Sequence, residues 1–191
     1  MAVRFALTRI IPSALIYGAL VAAALVIDVA LHAGNLIWVG RYLGMIGSVT
    51  IVVSFAYSLR KRRIIPIGSP NQLLRAHEWL GWVGALMVLV HGGVHFNAWL
   101  PWVALLSMMA VVASGLTGKF LLQDAQASLR GRAAELTSQG LHEAEVEKQL
   151  LLHSLLVDTM KSWRLVHMPL TMVFTGLAVI HIIAILLFWR W

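Results

Sequence analysis

Four histidines are the residues of this sequence best suited to chemistry. His77 and His91 lie fourteen residues apart in one apolar stretch, Arg75–Phe96, which reads RAHEWLGWVGALMVLVHGGVHF, and the same interval separates His167 from His181. On a helix turning about 100° per residue that interval closes nearly four turns, so each pair falls within roughly 40° of one face, with about 21 Å between its members. A hydrocarbon core is about 30 Å thick, and each pair would span most of it. Histidine is costly at such depth and by default marks a working site. Two helices, each with two imidazoles on one stripe, offer what two stacked iron centres need if each is ligated by nitrogen from both sides.

Composition defines the elements that must position these side chains. The chain has 191 residues, 60% hydrophobic and 12% charged, with a mean hydropathy of +0.82, which is outside the range of soluble domains and predicts an integral membrane protein. It has no cysteine, which excludes disulfides, thiolate-bound metals, iron–sulfur clusters and covalently attached c-type haem on this chain. The net charge of +7 and pI near 10.6 do not argue for nucleic acid here. In a membrane chain a basic excess collects in cytoplasmic loops that face anionic lipid.

Hydropathy places five spans at about 10–33, 37–59, 77–97, 99–122 and 164–189. Arg4 and Arg9 precede the first apolar run, which is longer than a signal peptide and lacks its small-residue cleavage site, so a retained span is expected. The connection His32–Leu36 contains Gly34 and Asn35 and predicts a tight turn. The next connection is basic and helix-breaking, with Arg60, Lys61, Arg62 and Arg63 followed by Pro66, Gly68 and Pro70. Trp99, Pro101 and Trp102 mark a short interfacial connection. All fifteen Lys and Arg except Arg41 and Arg190 fall on one side of this arrangement. The bias predicts the cytoplasmic membrane as location, the N-terminus cytoplasmic and Trp191 external.

Between spans four and five, residues 123–163 hold six of the eight acids, namely Asp124, Glu135, Glu143, Glu145, Glu147 and Asp158. Leu141, Val146, Leu150, Leu151, Leu155 and Leu156 interleave with these charges at helical spacing, as in an amphipathic helix lying on the membrane surface. The fold class expected is therefore an all-α membrane protein, a single domain over residues 1–191, with five helices bundled around two stacked b-type haems and an amphipathic cytoplasmic segment between helices four and five.

Spans three and five are both odd-numbered and run in one direction, so equal spacing places His77 level with His167 and His91 level with His181. His77 and His167 are the ligands expected for the inner haem iron, and His91 and His181 for the outer. His95, one turn beyond His91, is a rival outer ligand; His91 is preferred because span five has no histidine level with His95. A flat macrocycle pressed against backbone needs small residues, and Gly40, Gly44, Gly47, Gly81, Gly84, Ser114, Gly115 and Gly118 are compatible with that. Plain helix packing accounts for any one of them equally well. Arg75 and Arg164 at the inner level and Arg41 at the outer level are the cations expected for haem propionates, with Lys161 close by as a snorkelling charge. Asp28 and His32, one turn apart in span one, are either a proton-handling or quinol-binding pair or a carboxylate that only orients the ring. His142 and His153 are expected at the surface, and Pro169 is expected to bend span five.

The helix pair His77-x13-His91 and His167-x13-His181 resembles the haem-binding core of the cytochrome b superfamily, in particular the cytochrome b of bc and b6f complexes and the ferric-reductase-like transmembrane domains. The resemblance covers roughly 50 residues of ligand helix. It implies two non-covalent haem b groups held by these four histidines, and electron transfer from one membrane face to the other. Two features depart from the pattern. No Pro-Glu-Trp-Tyr element, used by bc-type cytochromes in quinol oxidation, occurs in this sequence, and no flavin or nicotinamide domain follows the helices as it does in ferric reductases. The resemblance thus implies an electron-carrying subunit rather than a complete enzyme, with iron–sulfur, flavin or cytochrome c type subunits as partners. The alternatives are a chain that itself oxidises quinol or reduces quinone through Asp28, His32 or His95, and a haem-free transporter or anchor whose histidines relay protons.

Overall fold

A computed structural model describes residues 11–66, 68–93, 99–138 and 155–188. Among them the chain is helical throughout, as α1 (Ile11–Ala33), α2 (Ile37–Ser54), α3 (Ala56–Lys61), α4 (Pro70–Gly93), α5 (Trp99–Ser138) and α6 (Leu155–Phe188). Five stretches are long and apolar enough to cross a membrane, namely Ile11–Ala33, Ile37–Lys61, Pro70–Gly93, Trp99–Phe120 and Trp163–Phe188. This is a multi-pass membrane protein. In lipid every backbone polar group must be satisfied within the chain, and helices do so locally. Hydroxyls within the spans follow the same rule, as Ser48 donates to Gly44 O at 2.7 Å and Thr171 to His167 O at 2.8 Å. Large side chains such as Leu15, Val26, Val49, Leu165 and Phe188 are exposed on the helix surfaces, where lipid would cover them.

The turn at His32–Leu36 forms as expected. Asn35 adopts a left-handed φ of 53°, and Gly34 N and Leu36 N donate to Ala30 O and Leu31 O at 3.0 and 2.8 Å. Two boundaries differ from expectation. The third span begins at Pro70 rather than near residue 77, because Ser69 Oγ accepts from Gln72 N at 3.3 Å and proline suits the first helical position. His77 is thereby two turns inside α4 rather than at its start. The polar segment expected as a separate surface helix begins instead as a continuation of α5 to Ser138, since the stretch after Phe120 is rich in Ala, Leu, Gln, Glu and Arg, all strong helix formers. Leu155 and Leu156 belong to the start of α6, whereas Leu141, Val146, Leu150, Leu151, His142 and His153 lie outside the described residues. α6 runs through Pro169 as one helix.

Packing sorts the helices into two antiparallel pairs, α2 with α4 and α5 with α6; α1 and α5 also pack on α4. α4 and α6, the two histidine helices, share no comparable interface among the described residues. The close approach of α2 and α4 comes from glycine. Gly40, Gly44 and Gly47 are buried on α2, and a Cβ on Gly47 would lie 2.9 Å from Met87 Cβ and 3.0 Å from Gly84 O. Leu20, Ala85 and Met108 join α1, α4 and α5 in one apolar cluster, flanked by Trp82, Leu105 and Phe174.

Candidate functional site: the imidazole pairs of α4 and α6

A histidine can ligate a metal through one ring nitrogen when the other is held by a partner that fixes the tautomer and the ring orientation. Three of the four candidate histidines have that arrangement. His77 Nδ1 is 3.0 Å from Ser54 O, and His91 Nδ1 is 3.0 Å from Gly40 O; both acceptors lie on α2. A carbonyl only accepts, so in both rings Nδ1 carries a hydrogen and donates it.

His167 is held by another route. Its Nδ1 is 2.7 Å from Ser114 Oγ on α5, and that hydroxyl also lies 2.8 Å from Val111 O. His181 is half-buried on α6.

The rings are also seated sterically. A Cβ on Gly44 would lie 2.6 Å from His91 Cγ, so only glycine lets this ring lie against α2. Trp163, one turn before His167, stacks on it with centroids 4.7 Å apart and planes 20° apart, and donates through Nε1 to Ser114 O at 2.9 Å. The indole in turn overlies Gly118, where any Cβ would collide with it. Tyr57 lies 5.8 Å from the His77 ring. Sequence reasoning named Ser114, Gly118 and Gly44 only as small residues, and it missed Ser54, Tyr57 and Trp163 as ring partners. For Trp163 a signal was present, a tryptophan four residues before a buried histidine and therefore on the same face.

His77 and His167 lie within electrostatic reach of one another. Glu78 forms an ion pair with Lys119 at 2.6 Å, and Trp163 packs on the adjacent Gly118.

Arg75, Arg164 and Arg41 are exposed on helix surfaces, and Arg164 lies within electrostatic reach of Lys61 at the end of α3. The side chain of Lys161 and the whole of His95 lie outside the described residues. His32 Nδ1 bonds the backbone carbonyl of Asp28 at 2.9 Å, while Asp28 Oδ1, 3.5 Å from that nitrogen, is buried with no hydrogen-bond partner. The carboxylate packs on α4, where a Cβ on Gly93 would lie 3.0 Å from Asp28 Cγ.

Among the described residues no group of three or more His, Cys, Asp or Glu side chains converges on a metal position. Pairs of imidazoles cannot complete the coordination of a bare ion, but they complete that of an iron whose other four positions belong to a macrocycle. The donor set fits haem on that ground. Fold and site together define a multi-pass helical membrane protein with imidazoles held through Nδ1 on two helices. Comparison with family models, characterised proteins and solved structures finds no match for this chain, so its chemistry must be read from these residues.

Proposed function

We propose that the chain is a membrane-embedded b-type cytochrome of the di-haem class, carrying electrons across the membrane as a subunit of a larger redox complex. The observation that supports this best is that His77, His91 and His167 are each held through Nδ1 by a partner on a neighbouring helix, namely Ser54 O, Gly40 O and Ser114 Oγ. Bound between α4 and α6, haem would supply one-electron iron chemistry. The chain's own part is to fix ring orientation through Ser54, Gly40 and Ser114, to exclude water with apolar helices, and to offer Arg75, Arg164 and Arg41 to propionates. The charge bias supports a cytoplasmic N-terminus, and soluble or membrane partners of iron–sulfur, flavin or cytochrome c type would donate or accept the electrons.

Purified protein should show a Soret band and two haem b groups per chain by the pyridine haemochrome assay. A chain that purifies without any Soret absorbance removes this reading. Ser114→Ala should leave the fold intact but weaken haem retention at His167 about 10- to 100-fold, because the ring loses the hydrogen-bond partner that orients it. Haem titration of the purified variant measures this.

Asp28 Oδ1, buried and 3.5 Å from His32 Nδ1, favours a second reading, in which the chain reacts with quinone directly. A carboxyl at this depth can donate to or accept from a quinone oxygen. On this reading, Asp28→Asn abolishes reduction of the haems by added quinol while leaving dithionite reduction unchanged; equal quinol reduction in both proteins excludes it.

A further inference from the structure

The basic connection after α3 forms a pocket that the cytochrome reading does not use. Tyr57, Arg60, Lys61, Arg63 and Pro70 line a depression of about 340 Å³. It sits at the end of the span Ile37–Lys61, at the level where lipid headgroups lie. Arg60 is pinned through Nε to Gly68 O at 3.2 Å, which leaves its terminal nitrogens available. Lys61 Nζ stands 5.8 Å from the centre of the Tyr57 ring, and Arg164 adds charge from α6 within electrostatic reach of Lys61. Among the described residues the ion pairs join Lys119 to Glu78 and His32 to Asp28, and none involves these cations.

One backbone feature marks the cluster as more than a solvated loop end. Arg63 adopts φ 60° just past the end of α3, with Ile64 N donating to Leu59 O at 3.0 Å. That left-handed position after a helix is ordinarily glycine's, and a branched-free but Cβ-bearing residue there costs about 1 kcal/mol. Keeping arginine in a position that favours glycine implies that its side chain is needed.

We propose that this pocket binds a phosphate group, with Arg60, Lys61 and Arg63 as its ligands and Tyr57 as a wall. The chemistry fits an anionic phospholipid headgroup or free phosphate, and it is independent of whether haem is bound. The pocket's position at the span end favours the lipid, which would fix the depth of the α2–α4 pair in the bilayer.

The test is native mass spectrometry of the detergent-solubilised full chain titrated with phosphatidylglycerol, with phosphatidylcholine as the zwitterionic control. Phosphatidylglycerol should bind in preference, and Lys61→Gln and Arg63→Gly should each weaken it about fivefold. Arg62→Gln, which removes the same charge from the same loop outside the pocket, should stay within about twofold of wild type. Arg63→Gly also relieves the backbone, so its melting temperature should hold or rise while binding falls, which separates ligand loss from unfolding. Displacement by millimolar inorganic phosphate would assign the ligand as free phosphate; no displacement would assign it as lipid. Equal losses in all three variants would reduce the effect to general surface charge and overturn the proposal. So would unchanged binding in Lys61→Gln and Arg63→Gly, leaving the patch to an acidic protein.

Discussion

On the proposed di-haem reading, His167→Ala is expected to leave one haem per chain instead of two, and His77→Ala to remove the same one. The two single variants and the double variant should be alike by the haemochrome assay and in the redox titration of the haem that remains. Ligands to one iron act as a unit, and non-additivity of this kind is what double-variant comparison detects. His91→Ala should remove the other haem, and His95→Ala should leave both; the reverse result would move the outer ligand to His95. Magnitude separates this from a structural role. Losing the Ser114 hydrogen bond and the Trp163 stack alone would cost about 1–3 kcal/mol and leave the visible spectrum unchanged. Losing a tightly bound group also removes its contribution to stability, about 4 kcal/mol for a ligand present at a thousand times its Kd. A drop in melting temperature with no spectral change would assign His167 to packing.

Gly84→Val is expected to be the most disruptive single change at the α2–α4 interface. The added Cβ would lie 2.6 Å from Ile51 Cγ1 and 3.1 Å from Gly47 O; the first can swing away, but the backbone oxygen cannot. Overpacking of this kind costs about 1–3 kcal/mol. Gly81→Val, one turn earlier on the same helix, meets nothing within 4 Å and should be near neutral, so thermal melts of the two variants in one detergent provide the comparison. Equal melting temperatures would show that the helices are not held this close. The effect should reach the imidazoles, because His77 and His91 take their Nδ1 partners from α2. Gly44→Ala makes the link directly, since its methyl would displace the His91 ring from Gly40 O and loosen haem at that position while leaving the His77 position intact.

Neither prediction changes with the direction in which electrons flow or with the identity of the partner chain. Both depend on α4, whose histidine face is turned towards α2 by hydrogen bonds and whose glycine face allows α2 to come close. The ion pair of Glu78 and Lys119 then ties α4 to α5, beside His77.

The sequence alone determined the number of spans, the tight turn at Asn35 and the two histidine helices, because hydropathy and helical period are local properties that a chain in lipid must satisfy segment by segment. It placed Ser114, Gly44 and Gly118 among small residues compatible with a macrocycle pressed against backbone or with plain helix packing. The long helical ends beyond Phe120 and before Trp163 were hidden by their polarity, since length in water carries no hydropathy signal. Tertiary structure decided what the imidazoles can do. Ser54, Gly40 and Ser114 are 23, 51 and 53 residues from the rings they hold, and no periodicity links positions so far apart. Equal spacing within two helices fixes how far apart the members of each pair lie, whereas the partners that hold each ring are a matter of side-chain fit between distant segments.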